Sequence, residues 1–93
     1  VSTIVFQLYV AGRTPRAERA IAVLRHLCER ELAGYRCEIV IVDVLADPEQ
    51  AERRKILATP TLIKEHPQPQ RRIIGDLAAD PRELLAALNL PPE

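Results

Sequence analysis

Aromatic side chains are nearly missing from this 93-residue sequence: Phe6, Tyr9 and Tyr35 are the three, and methionine and tryptophan do not occur. So few rings leave little on which to stack nucleobases. A surplus of either charge is missing too, with thirteen basic against thirteen acidic residues and a formal net charge of zero. Holding nucleic acid through its phosphates needs a cationic surplus, so that class is excluded. No long apolar run is present. Leu84 to Leu88 is as long as any, far short of a bilayer span. Cys28 and Cys37 are too few for a disulfide scaffold and lack zinc spacing. No signal-peptide pattern opens the sequence, and Val1 in first place leads us to expect that the natural chain starts upstream. What remains is an ordinary globular balance, 47% hydrophobic and 28% charged. The expectation is one cytoplasmic domain over residues 1–93, with no membrane, metal or cofactor.

Residues 3–10 are rich in β-branched and aromatic residues and read as a strand covered on both faces. Ala11-Gly12-Arg13 breaks it, and Thr14-Pro15 starts a helix as N-cap and first-turn proline. Ala20, Leu24, Leu27, Cys28 and Leu32 make one apolar stripe, with Gly34 as its C′ stop. Residues 37–44 read as a second strand. Asp47-Pro48-Glu49-Gln50 is a capped start for a short helix running to about Leu57, which should be buried with Ile56. Residues 61–64 and 71–74 read as strands joined through Pro67-Gln68-Pro69 and closed by Gly75-Asp76. Asp80-Pro81-Arg82-Glu83 opens a last helix, which Pro91-Pro92 ends. The order is β-α-β-α-β-β-α. A right-handed first crossover makes β1 and β2 parallel, and the short ββ connection makes the last pair antiparallel. That is the α/β thioredoxin-like arrangement, a mixed four-stranded sheet with helices on both faces.

Such a fold invites a redox reading, which the residues oppose. A disulfide oxidoreductase places Cys-x-x-Cys at the start of the first helix, where the dipole lowers a thiol pKa. Here that place holds Gly12-Arg13-Thr14-Pro15-Arg16-Ala17. Cys28 and Cys37 read as small structural hydrophobes. Arg13, Arg16 and Arg19 beside a helix start read as a solvated basic edge, without a glycine-rich phosphate fingerprint. His26 and His66 have no carboxylate or second histidine at catalytic spacing and read as structural or surface residues. Glu52-Arg53-Arg54-Lys55 is the wet face of a short helix, or a contact surface if that helix borders a partner. Ala58-Thr59-Pro60-Thr61-Leu62 carries the proline that enters the third strand of thioredoxin-like folds, typically after a cis peptide bond. With Pro67 and Pro69 nearby, this loop reads either as a site of slow conformational change or as an ordinary rigid turn.

Leu8-Tyr9-Val10-Ala11-Gly12-x-Thr14-Pro15, Arg19-Ala20, Ile41-Val42-Asp43-Val44-Leu45 and Asp47-Pro48 belong to a longer pattern. It continues in Lys55-Ile56-Leu57-Ala58-Thr59-Pro60-Thr61-Leu62 and Arg72-Ile73-Ile74-Gly75-Asp76-Leu77. Together these motifs resemble the circadian clock KaiB family, from about residue 4 to residue 77. The resemblance implies a non-enzymatic clock or clock-like protein that binds the ATPase ring of a KaiC-family partner and modulates its phosphorylation cycle. KaiA, or a sensor kinase, is a further partner only where the host has one. It also implies two interconverting folds, a monomeric thioredoxin-like one and a ground-state fold that forms tetramers, with a dimer also open. A thioredoxin-like sensor domain of a kinase system is the second reading, and a redox enzyme the third.

Carried over by motif, the resemblance places Lys55 and the stretch Cys37-Glu38-Ile39-Val40 against KaiC, with Arg19 as a contact for a further partner. Several positions depart from the family pattern. Arg53 and Arg54 stand where family members often carry acidic residues, so a touching partner surface should be complementary or different. Ala87-Leu88-Asn89 replaces a Gly-x-Asp pattern, and alanine for glycine favours the helical state by about 1 kcal/mol. Pro60, Pro67, Pro69, Ala87 and Asn89 are the expected conformational positions.

Overall fold

The structure is a computed structural model that describes residues 2–90. Seven elements follow in the expected order: β1 (Thr3–Val10), α1 (Pro15–Glu29), β2 (Arg36–Asp43), α2 (Pro48–Arg53), β3 (Thr61–His66), β4 (Arg71–Ile74) and α3 (Pro81–Ala87). The sheet order is β2-β1-β3-β4. β1 and β2 are parallel, from Thr3 opposite Arg36 to Val10 opposite Asp43. β3 runs antiparallel to β1 and to β4. This is the mixed thioredoxin-like sheet, and the last segment is helical, so the chain takes that fold rather than the ground-state alternative.

Strand alternation divides the core between two faces. Ile4, Phe6, Leu8 and Val10 of β1 and Leu62 of β3 meet Leu24 and Leu27 of α1 and Leu84 and Leu85 of α3 in the larger cluster. Tyr9, Val42 and Ile63 point the other way and take Val44 and Ile56 as their cover. α1 and α3 therefore lie on one side of the sheet and α2 on the other. Three proline-initiated helices start as the sequence predicts. Thr14 accepts from the Ala17 N–H, Asp47 from Gln50 and Asp80 from Arg82.

Helix ends differ from expectation. α1 stops at Glu29, not past Leu32: the N–H of Leu32 bonds back to the Leu27 carbonyl at 3.0 Å, turning the chain so that Leu32 drops into the core. Gly34 lies in the turn that follows and does not act as the left-handed stop. β2 starts and ends one residue early, and β3 runs on to His66. α2 ends at Arg53, four residues short of Leu57. Leu57 is 94% exposed, so Ile56 and Leu57 are not the buried end of a helix. α3 ends at Ala87, and the prolines expected to stop it, Pro91 and Pro92, lie outside the described residues.

Candidate partner-binding surface

The early end of α2 has a main-chain cause. Beyond the C-cap Arg54, Lys55 adopts a left-handed φ of 55°. Its N–H bonds to the Glu52 carbonyl at 3.1 Å, and the next N–H, of Ile56, bonds to Ala51 at 2.9 Å. Those two bonds make a Schellman motif with lysine at C′, the position that usually holds glycine. Lys55 is thus not a residue of the helix but the residue that turns the chain off it. Its side chain is exposed, while Ile56 swings back against Tyr9, Val42 and Ile63. Arg72 of β4 donates from Nη1 to the Lys55 carbonyl at 3.2 Å and fixes the turn from outside.

Under α2 lies a polar network that sequence reasoning did not find. Arg54 donates from Nη1 to Gln7 Oε1 at 3.2 Å and pairs through Nη2 with Glu65. Gln7 Oε1 also accepts from the Tyr9 hydroxyl at 2.7 Å, and Gln70 donates to the other Glu65 oxygen. Gln50 reaches the Tyr9 hydroxyl at 3.4 Å instead of closing a capping box. The Arg54 and Glu65 side chains are 29% and 22% exposed, so Arg54 is turned inward and committed. Arg53 instead points outward, 67% exposed, with a long i,i+4 ion pair to Glu49 at 3.9 Å. The period of a six-residue helix cannot tell these neighbours apart, because which faces in depends on where the helix stops.

Around Lys55 the surface is partly apolar. Leu57 is 94% exposed, and Leu45, 71% exposed, lies in the loop ahead of α2 and close to Gly12. Lys55, Val44, Pro48, Ile56 and Leu57 border a shallow depression of about 510 Å³. Exposed aliphatic side chains gathered at one place mark an interaction surface more often than scattered ones do. The loop that carries Leu45 is held by Asp43, whose Oδ1 accepts from Gly12 at 3.0 Å and from Leu45 at 2.9 Å. Those backbone donors, Gly12 foremost, hold the Asp43 carboxyl below its ordinary range.

The remaining expected contact residues are dispersed. β2 is a rim strand, paired among the described residues with β1 alone. Glu38 and Val40 are exposed on it, sharing a parity with Val42 and hence the α2 side of the sheet. Cys37 and Ile39 point to the larger core instead. Cys37 neighbours Cys28, whose thiol is pushed above its ordinary pKa by burial first and by that neighbour second. Arg19 is exposed on α1, across the sheet from Lys55. The Thr59–Pro60, His66–Pro67 and Gln68–Pro69 bonds are cis. Pro60 is buried, Pro67 half-buried and Pro69 exposed. Ala87 is the exposed last residue of α3, and Asn89 beyond it repeats the left-handed stop with φ 56°. Among the described residues no three His, Cys, Asp or Glu side chains converge as metal ligands, and no helix is long and apolar enough to cross a membrane.

These features coincide with a known family. The family model of the KaiB domain matches residues 7–87. The circadian clock oscillator protein KaiB of Acaryochloris marina is 49% identical over 88 residues, covering 95% of this chain and 83% of that protein. Solved structures repeat the fold at low identity. The N-terminal domain of SasA from Synechococcus elongatus superposes with a TM-score of 0.73 at 21% identity, over 92% of this chain and 78% of that one. Mitochondrial thioredoxin 3 of Saccharomyces cerevisiae gives 0.68 at 19% identity, over 95% and 78%. The thioredoxin-like sheet is shared with both at low identity, while the KaiB domain model and the clock-protein relative match across most of the sequence: this chain belongs to the KaiB family of circadian clock proteins.

Proposed function

We propose that this chain works as a single non-enzymatic domain that binds a KaiC-family ATPase ring and modulates its phosphorylation cycle in the cytoplasm. The observation that carries the contact is Lys55, exposed at a left-handed helix stop beside exposed Leu57. Apolar contact with a charge at its edge is the composition of a protein interface. Arg53 adds a second exposed cation beside Glu49 and Glu52, so the matching surface sets acidic groups against these two cations. The absence of cysteine from the first turn of α1, where Thr14, Pro15 and Arg16 stand, argues against thiol–disulfide catalysis. The SasA N-terminal domain is matched in fold alone, at 21% identity, and a sensor-kinase domain is the weaker reading. KaiA or a sensor kinase enters as partner only where the host encodes one.

The test is a titration of Lys55→Glu against the cognate ring. If Lys55 meets a carboxylate in a partly desolvated pair, the variant loses about 2–5 kcal/mol of binding. A lone rim charge would cost only about 0–1 kcal/mol. The melting temperature should hardly move, because among the described residues the exposed Lys55 ammonium makes no ion pair or hydrogen bond. Equal affinity of variant and parent would sink the assignment.

A further inference from the structure

We propose that the outer edge of β4 pairs with an extended acidic segment of a partner protein, which joins the sheet as its next strand. β4 lies at the rim opposite β2, and among the described residues it pairs with β3 alone. The ladder shows which of its backbone groups face outward. The Val44 N–H bonds to the Val10 carbonyl and the Arg36 N–H to the Ser2 carbonyl, so even-numbered residues of β1 serve the β2 side. Gln7 and Tyr9 then serve β3 at Ile63 and Thr61, which leaves Leu62 and Lys64 to bond Ile73 and Arg71 of β4. The Gly75 N–H, bonded to the Pro60 carbonyl at 2.8 Å, continues the same phase. Arg72 and Ile74 therefore turn both their N–H and C=O groups away from the sheet.

Charge and side-chain order select the occupant. Arg71 and Arg72 are exposed, one on each face of the strand, and Ile74 is 64% exposed. The carboxylates that flank the strand are engaged elsewhere, Glu65 with Arg54 and Gln70, and Asp76 with Arg16. The rim of a chain with no net charge is thus locally cationic. Two adjacent arginines on an edge oppose pairing with a second copy, where like charges would crowd together. The same charges favour a strand with two adjacent carboxylates. In antiparallel pairing, such a strand sets β-branched residues opposite Ile74 and Ile73 and acidic ones opposite Arg72 and Arg71. Its order is apolar-apolar-acidic-acidic. Main-chain bonds at Arg72 and Ile74 supply the affinity, and the side chains supply the choice.

This edge adjoins the Lys55 turn through the bond from Arg72 to the Lys55 carbonyl. It does not include the Lys55 side chain, so it stands whether or not the ring contact holds.

The experiment is a backbone amide NMR titration of the full chain with the peptide acetyl-Thr-Val-Val-Glu-Glu-Thr-amide, alongside the same peptide with lysine in place of glutamate. The expected result is saturable shifts across Arg71 to Ile74 with the acidic peptide, slowed amide hydrogen exchange at Arg72 and Ile74, and neither effect with the lysine peptide. N-methylation of the first valine and first glutamate, whose amides face β4 in this register, should abolish binding. N-methylation of the second of each should leave it nearly intact. Arg71→Glu changes an exposed side chain and should weaken binding by about tenfold. Four results would overturn the proposal: no saturation with the acidic peptide, equal binding of the lysine peptide or by Arg71→Glu, indifference to where the peptide is methylated, or Arg72 and Ile74 amides already slow to exchange in the peptide-free chain. The last would mean that a second copy or the chain's own end occupies the rim.

Discussion

Arg72 on β4 donates a hydrogen bond of 3.2 Å to the backbone carbonyl of Lys55, 17 positions away in sequence. A carbonyl just past a helix end has no partner within the helix. Supplying one from the neighbouring strand ties the orientation of the Lys55 turn to the edge of the sheet.

Arg72→Ala should therefore loosen the turn without unfolding the chain. The expected loss is about 0.5–1.5 kcal/mol, the usual net worth of one hydrogen bond. Urea denaturation reads the loss, and faster amide hydrogen exchange at Lys55 and Ile56 locates it. Exchange unchanged at both amides would show that the bond holds nothing.

Lys55→Gly should raise stability. A non-glycine residue in the left-handed region costs about 1–2 kcal/mol, and glycine at C′ relieves most of that cost. The gain expected in denaturation is about 1 kcal/mol, with ring binding weakened by loss of the ammonium. Lys55→Glu keeps the strain and Lys55→Gly removes it, so the pair separates the role of the backbone from that of the charge.

Arg54 and Arg53 are neighbours in sequence with opposite fates. Arg54→Met removes the bonds to Glu65 and Gln7 and leaves a half-buried carboxylate without its cation. That should cost about 1.5–3 kcal/mol, the range for hydrogen bonds to charged groups. Arg53→Met, changing an exposed side chain, should stay within about 0.5 kcal/mol. Thermal denaturation of the two variants side by side distinguishes them.

Lys64 is fully buried on β3, and among the described residues its Nζ has no hydrogen-bond partner. Burial first, then Arg71 opposite it on β4, pulls its pKa below the ordinary lysine value. Below that lowered value the lysine is charged in both folded and unfolded chains, and the folded state bears the whole penalty. As pH rises from there to about 10.5 the folded chain sheds the proton first, and stability recovers. Lys64→Met should thus stabilise the protein at neutral pH by about 1–3 kcal/mol. That advantage should shrink in melts run toward pH 10; a gain independent of pH would refute a charged origin.

Much of the fold was legible because local signals agreed with one another. Thr14-Pro15, Asp47-Pro48 and Asp80-Pro81 each join a capping oxygen to a first-turn proline, and all three start helices. The helix stops were not legible. A lysine in the left-handed region, or Leu32 folding back over the end of α1, depends on contacts made far along the chain. For the same reason the inward turn of Arg54 was hidden: Glu65 and Gln7 are 11 and 47 positions from it. Cys37 and Glu38 are neighbours whose alternation sends one to the core and the other to solvent. The strand period contains that division, but only the position of α1 says which side is which.

Because Lys55 takes its direction from the main chain, its charge can be silenced in two unlike ways. One erases the ammonium. The other leaves every atom of the side chain intact and re-aims it, by lengthening α2 through the residues that now break it. A substitution at Ile56 or Leu57 that favoured another helical turn would point the same lysine elsewhere. To a partner, the surface would be chemically complete and geometrically absent.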